Sequence, residues 1–418
     1  MPDSEQPDGW RSSRLGLHLA AILGGGTPSR KVPEYWNGDI PWASVKDMKS
    51  RVLAGTEESI TRAGLESGAT RAVPPGSIVL ATRMAVGSVA VTTTEIAINQ
   101  DLKALVPANG LDPRFLLHFL EQNATRLARW GTGTTVAGVR LDDVENLPLL
   151  LPPVGEQRRI AEVLDAIDAA IEQTEAVIAA TERLRSALLG ELLTRGVPGW
   201  HTEWKDVPGI GTIPACWEVV RLGEVAEVQT GRQVGKAPGN GASVVLPYLS
   251  VANVKDGYLH LETVKTMEVG ASEVARFSLR PGDVLFTEGG DADKLGRGCV
   301  WSGEIAPCLH QNHVFAVRPH PKRLSPDLLA AYARSPRGKS YFMGCSKQTT
   351  NLASINSTQL KAMPLPLPSM NEQRAMLEAL KSVAGRVESE NAGLEALIAA
   401  KRAAATSLLS GRVRVGAR

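Results

Sequence analysis

Several residue sets in this chain have types and spacings that invite a chemical reading. Gly338-Lys339-Ser340 has the tail of a phosphate-binding loop, in which a glycine-rich turn cradles phosphates and a lysine reaches the terminal ones. The glycine that should open the loop falls at position 333, which is Ala, and Gly235-Lys236 fails in the same way because position 230 is Thr. Transfer of a methyl group to a flipped base needs an Asn/Asp-Pro-Pro-aromatic motif and a glycine-rich cofactor loop. The Pro-Pro pairs here, Pro74-Pro75 and Pro152-Pro153, stand in neither context. Cys299, Cys308, His310 and His313 are zinc-type ligands. Their spacing is irregular, and the matching stretch of the first half has Ile98, Asn99 and Asp101 around Gln100. No nucleophile-base-acid set is recognisable from residue order. The expectation is a chain with no catalytic residues, no metal and no bound cofactor of its own.

Composition narrows the class. The 418 residues exceed one ordinary core and imply two or three domains. No stretch approaches the ~20 apolar residues of a membrane span, and the polar, acid-bearing Met1–Arg14 does not read as a secretion signal. All four cysteines lie in the second half at spacings that suggest no disulfide framework, which fits a reducing cytoplasm. A formal charge of +2 is not the footprint of a protein that grips nucleic acid by charge alone. Residues 197–362 are mildly basic, whereas residues 1–146 are not.

The chain is written twice. Leu147–Arg158, LPLLLPPVGEQR, is answered by Met363–Arg374, MPLPLPSMNEQR, and the register holds without a gap to Leu192-Leu193 against Leu408-Leu409. A period this long is a duplicated domain pair rather than a solenoid. Upstream, Arg14-Leu15-Gly16 answers Arg221-Leu222-Gly223, each shortly after a tryptophan, Trp10 or Trp217. Asn99-Gln100 lies where His310-Gln311 lies, and Leu111-Asp112-Pro113 answers Leu324-Ser325-Pro326. The order is globular block, helix, globular block, helix, with the blocks far more diverged than the helices.

Each helix follows a proline-rich lead-in, Pro148 to Pro153 or Pro364 to Pro368, which marks its boundary. The first seam runs Leu164, Ile167, Ile171, Thr174, Ile178, Thr181, Arg185, Leu188, Leu192. The second runs Leu380, Val383, Val387, Glu390, Leu394, Leu397, Lys401, Ala404, Leu408. Both have the 3-4 spacing of a coiled coil. A basic residue occupies the same seam position in both, Arg185 and Lys401, either as a snorkelling side chain or as a register device. The seams are too polar for a strong homodimer zipper, so antiparallel pairing within the chain is expected, forming a rigid spacer with approximate two-fold symmetry. In the blocks, 77–81, 88–92, 284–287 and 313–317 read as strands, and helices are expected to start at Pro113 and Pro326. The fold class is α+β.

These residues together resemble the specificity subunits of type I restriction-modification systems. Gly25-Gly26-Thr27-Pro28-Ser29 followed by Tyr35–Trp42 is similar to the start of a target-recognition domain in that family, as is Ile213-Pro214 to Trp217 with Arg221-Leu222-Gly223. Pro281–Phe286, PGDVLF, and Pro152–Ala161 with its echo Glu372-Gln373-Arg374 are similar to other family segments. The resemblance implies target-recognition domains at 1–146 and 197–362, helical spacers at 147–196 and 363–412, and a tail at 413–418. It implies double-stranded DNA as ligand, with each domain reading one half of a split sequence. It also implies two methyltransferase subunits and motor-nuclease restriction subunits as partners. S-adenosylmethionine, ATP and Mg are then expected only on those partners. The alternatives are a specificity-like subunit of another phage-defence complex, or a scaffold that binds no DNA.

Within that frame, base readers are expected in the turns that flank the strands: Lys46, Thr82, Arg83, Thr132, Thr134 and Thr135 in the first block. In the second they are Lys255, Lys294, Arg297, Lys347, Gln348 and Asn351. Arginine can pair with guanine, and Gln or Asn with adenine. Partner docking and the helix seam are assigned to Glu156, Gln157, Arg158, Ile167, Ile171, Ile178, Glu372, Gln373, Arg374, Val383, Val387 and Leu394.

Overall fold

The computed structural model describes residues 7–130, 138–237, 241–290, 296–345 and 353–416. The chain forms two compact units. Unit 1 is Met1–Ala176 with Asn391–Arg418, and unit 2 is Val177–Glu390. The divisions fall inside the two long helices, Val154–Arg195 and Met370–Leu409.

In unit 1 a five-stranded sheet has the order Leu19–Gly24, Leu102–Pro107, Ile78–Ala81, Val89–Thr92, Val52–Leu53. A four-stranded sheet has the order Glu58–Ile60, Trp36–Ala43, Ile96–Ile98, Ala72–Val73. Ile78–Ala81 is buried on both faces, as a near-continuous apolar run should be. The helix Pro113–Gln122 is capped by Asp112, whose carboxylate accepts from the Arg114 and Phe115 N–H groups. It ends at Asn123, and a second helix, Ala124–Trp130, follows.

Unit 2 repeats the plan with two smaller main sheets and adds two ribbons, Trp204–Val207 with Gly211–Pro214 and Gly289–Gly290 with Ala353–Ser354. Ala226–Thr230, Val314–Pro319, Val284–Thr287 and Gly298–Val300 form one sheet. Lys265–Gly270, Ser243–Leu249 and Leu309–His310 form another. The helix Pro326–Arg334 lies over the first sheet and buries Leu328, Leu329 and Tyr332 in one core with Phe286, Phe315 and Trp217. Each such side chain contributes about 2 kcal/mol by leaving water.

The proline-rich lead-ins are strands, which sequence reading took only as boundaries. Pro148–Leu151 pairs antiparallel with Arg11–Arg14, and Pro364–Leu367 with Glu218–Arg221. Each is a two-stranded ribbon, so every strand has one open edge, where a missing N–H is harmless.

Both helix pairs are antiparallel inside their own units. In unit 1 the opening turns of the first helix, at Ile160 and Leu164, pack with Ala405, Leu408 and Leu409 near the end of the second. In unit 2 the closing turns of the first, Leu188 to Leu193, pack with Met376, Leu377 and Leu380. Ile167, Ile171, Ile178, Val383 and Leu394 are partly shielded and Val387 is buried; of the eighteen seam positions only Arg185 is exposed.

Candidate nucleic-acid interface

Each block is mounted on a helix start by one Glu-Gln pair. In unit 1, Gln157 accepts the Asp112 N–H at 2.8 Å and donates to the carbonyls of Gly110 and Pro152 at 2.9 and 2.8 Å. Glu156 accepts from Trp10 Nε1 at 2.9 Å and from both arms of Arg414 at 2.7 and 2.9 Å. The Arg414 guanidinium holds the Glu156 carboxyl below its ordinary range. In unit 2, Gln373 accepts the Ser325 N–H at 2.9 Å and donates to the Arg323 and Pro368 carbonyls. Glu372 accepts from Trp217 Nε1 at 2.9 Å, from His201 Nε2 at 2.6 Å and from the Val197 N–H. All four side chains are buried, so the expectation that they dock a partner is corrected. They are internal mounting pins, because the tryptophan and the helix-capping loop arrive over them and use their polar atoms. Arg158 and Arg374 remain exposed.

Strand pairing then gathers polar residues at one end of each sheet. In unit 1, Lys103 stands opposite both Gly24 and Leu80, so the ends of those two strands share an edge with the start of Leu102–Pro107. Ala43 pairs with Ile98 in parallel, and the Asn99 N–H bonds the Ala43 carbonyl, which brings Ser44–Asp47 to the same end. The edge therefore carries Thr27, Lys46, Arg83, Met84, Gln100 and Lys103. Thr27 Oγ1 donates to Gln100 Oε1 at 2.7 Å. Burial, together with the neighbouring Arg83 charge, lowers the Lys103 ammonium from its ordinary value.

Tight backbone approach shapes this end. A Cβ on Gly25 would stand 2.1 Å from the Ile98 carbonyl oxygen, and one on Gly231 would stand 2.2 Å from that of His310. Gly25 and Gly231 thus mark a close crossing of two backbones, repeated in both blocks. Gly338 is likewise a packing residue, because its Cβ would meet the Tyr332 carbonyl at 2.3 Å.

The second edge has the same frame and different side chains. The Gln311 N–H bonds the Leu249 carbonyl, Glu288 N–H the His313 carbonyl, and Thr287 N–H the Arg297 carbonyl. Glu288 Oε2 pairs with His313 Nδ1 at 2.7 Å. Glu288-Gly289-Gly290 follows its strand as Thr82-Arg83-Met84 follows the matching one.

Among the expected readers, Lys46 and Arg83 are exposed at the first edge. Arg297 is partly exposed at the second, and Lys255 lies in the turn that follows Ser250–Asn253. Thr82 is corrected: it is buried, and both its N–H and its hydroxyl are held by the Asp101 carbonyl at 2.9 and 3.1 Å. Thr132, Thr134, Thr135, Lys294, Lys347, Gln348 and Asn351 lie outside the described residues. Sequence reading missed Gln100, Lys103, Glu288 and Gln311. The repeated Asn99-Gln100 and His310-Gln311 marked the place without showing its role.

Two constellations suggested metal or charge chemistry. Cys299 and Cys308 sit in an apolar cluster with Leu249 and Trp301, and burial pushes both thiols up to about 12. Among the described residues, His118, Glu121 and Asp168 are the one group whose ligand atoms lie within metal-binding reach of one another. That group already contains two side-chain cations. Arg51 bonds Glu121 at 2.6 Å and also Asp168, and Lys401 bonds Asp168 at 2.6 Å and Glu121 at 3.1 Å. It is a charge network that ties the block to both helices inside unit 1. Lys401 is thus a cross-tie rather than a snorkelling side chain, whereas its repeat partner Arg185 is half exposed and, among the described residues, pairs with Glu182 at 3.2 Å.

With this geometry in hand, the likenesses are informative. The family described as the type I restriction modification DNA specificity domain matches residues 7–183 and again 214–399. The MjaIX type I restriction enzyme specificity subunit of Methanocaldococcus jannaschii is 24% identical over 297 residues, covering 70% of this chain and 68% of that protein. A chain in a solved structure concerned with assembly and conformational transition of the type I R-M system superposes with a TM-score of 0.63 at 20% identity, covering 98% of this chain and 100% of that one. The HsdS subunit from Thermoanaerobacter tengcongensis superposes with a TM-score of 0.53 at 20% identity, covering 99% of each chain. Two matched copies of the domain, each on its own pinned helix start, place this chain in the type I restriction-modification specificity subunits.

Proposed function

We propose that the chain reads a bipartite DNA target, one half-site at each sheet edge, and performs no chemistry itself. The observation that carries this reading is a repeated mount with unrepeated side chains. The Glu-Gln pins and the glycine crossings recur in both halves, while Arg83-Met84 and Lys103 at one edge are answered by Gly289-Gly290 and Phe315 at the other. Base-edge contacts must differ with target sequence, whereas the frame that presents them need not. Methyltransferase subunits supply S-adenosylmethionine and the adenine chemistry, and motor-nuclease subunits supply ATP and Mg chemistry. Their own basic surfaces add to phosphate binding, which a chain of net charge +2 does not supply alone. Arg158, Arg374 and the outer faces of the long helices are the docking surface. No helix among the described residues is long and apolar enough to cross a membrane, and we place the complex in the cytoplasm with the DNA.

The test is a block exchange. Residues 1–146 are replaced by the corresponding block of another family member, and the complex with its methyltransferase is assayed by mapping methylated adenines. One half of the methylated sequence should change and the other half should stay. A change in both halves, or in neither, overturns the two-edge reading.

A further inference from the structure

Met84 is out of place on an ordinary soluble surface. Among the described residues only Asn37 and Met84 have positive φ without being glycine, and Met84 stands at +60°. Asparagine visits this region readily, but a long side chain there is strained. Met84 is also 82% exposed, more than any other large apolar side chain described. Strain and apolar exposure at one residue both act against stability, and strain of this kind concentrates at functional sites.

The turn that presents it is rigid. Thr82 is fixed by the Asp101 carbonyl through two bonds, and the Gly87 N–H bonds the Ala81 carbonyl at 3.1 Å. Gly87 packs so closely on the start of the helix Ala124–Trp130 that a Cβ would lie 2.9 Å from the Ala124 carbonyl. A braced tip holds Met84 outward. Its flanks are cationic: Arg83 precedes it, Lys103 feels the Arg83 charge, and Lys46 shares the edge. An apolar finger between cations complements a polyanion that hides apolar faces inside itself, which describes stacked bases between phosphates. Apolar wedges of this type part base steps, and methionine's unbranched, polarisable thioether suits an aromatic face.

We propose that Met84 is a wedge that enters one base step of the half-site read by the first block, with Lys46 and Lys103 on the adjoining phosphates. This rests on the DNA-reading function proposed above. Only one half-site is parted, because the matching position of the second block is Gly290.

The experiment uses the full chain with its methyltransferase subunits on duplexes carrying the mapped target. 2-Aminopurine replaces each base of both half-sites in turn. Bases flipped by the methyltransferase brighten the probe in both halves and report that the complex is bound. The wild type should show one further bright step, in the first half only. Met84→Gly and Met84→Ala should lose that step and lower affinity about tenfold, the scale of one base-stacking contact, while Met84→Leu retains it. Because glycine relieves the positive φ, Met84→Gly should melt no lower than the wild type. The proposal is overturned if only flipped bases brighten, or if Met84→Gly keeps the extra step. It is also overturned if Met84→Gly melts lower with its DNA selectivity intact, or if that variant sheds the methyltransferase while DNA behaviour is unchanged. Absence of any wild-type binding would overturn the DNA-reading function itself.

Discussion

The two halves agree at their mounts and disagree in their ties. Gln157 and Gln373 make the same three bonds to the same backbone positions. Among the described residues the charge network of unit 1 has no copy. Counted through the repeat, Arg51, His118, Glu121, Asp168 and Lys401 correspond to Gly257, Ala331, Arg334, Ala384 and Arg185. A cleft of about 690 Å³ opens among Arg185, Arg334 and Ala384 in unit 2, whereas the one beside Lys401 in unit 1 is about 340 Å³. Duplication therefore preserved the element that must hold any reading block onto any helix. It left each block to find its own further attachment.

The sharpest way to break that equivalence is to remove a pin. Gln157→Leu and Gln373→Leu each leave one buried N–H and two carbonyls unpaired, and each should cost about 3 kcal/mol in urea unfolding. The losses should match within about 1 kcal/mol. A large cost on one side alone would show that the mounts only look alike.

The repeat and the seam were legible in the sequence because both are local patterns of spacing. The pins were legible as residues and misread as to direction. A Glu-Gln pair in a first turn points inward only once Trp10 or Trp217 has folded over it, and that contact spans about 150 residues. The reading edges are non-local in the same way. Lys103 joins Arg83 through the strand order rather than through any nearby motif. Thr82 was chosen as a polar turn residue, but the Asp101 carbonyl draws its hydroxyl back into the sheet.

Repeat-equivalent seam cations sharpen the comparison of ties. Lys401→Met removes the partner of two shielded carboxylates and should cost about 2 kcal/mol. Arg185→Met, at a half-exposed pair, should stay within about 0.5 kcal/mol. Acid titration separates the halves further. Burial alone would raise the Glu121 carboxyl, but His118, Arg51 and Lys401 outweigh it and hold the group down to about 2, against an ordinary 4.5. A depressed carboxyl contributes stability that is complete above its ordinary value and drains away as pH falls toward the folded one. Unit 1 should therefore lose about 3 kcal/mol between about pH 5 and about pH 2 from this group. Lys401→Met should flatten that slope. An equal slope in the variant would mean that Lys401 does not take part in the network.

The reading edges should show the smallest energies and the cleanest asymmetry. Arg83 is exposed and free to present its fork to a guanine, a pairing worth about 1–3 kcal/mol of discrimination. Arg83→Ala should relax selectivity at one position of the first half-site and leave the second untouched, as read from methylation across a library of half-site variants. Glu288, which answers Thr82 and so stands one place earlier on the second edge, carries the opposite charge and is suited to accept from a cytosine amine, but His313 already engages one of its oxygens. Glu288→Gln keeps the shape and the hydrogen-bonding oxygen while removing the charge, so its effect should fall below about 1 kcal/mol and be confined to the second half-site. Reversed confinement, with Arg83→Ala altering the second half-site, would show that the matched edges do not divide the target between them. Equal effects at the two positions would show instead that His313 gives Glu288 up when DNA binds, and the double variant Glu288→Gln with His313→Ala would then add nothing beyond the single one.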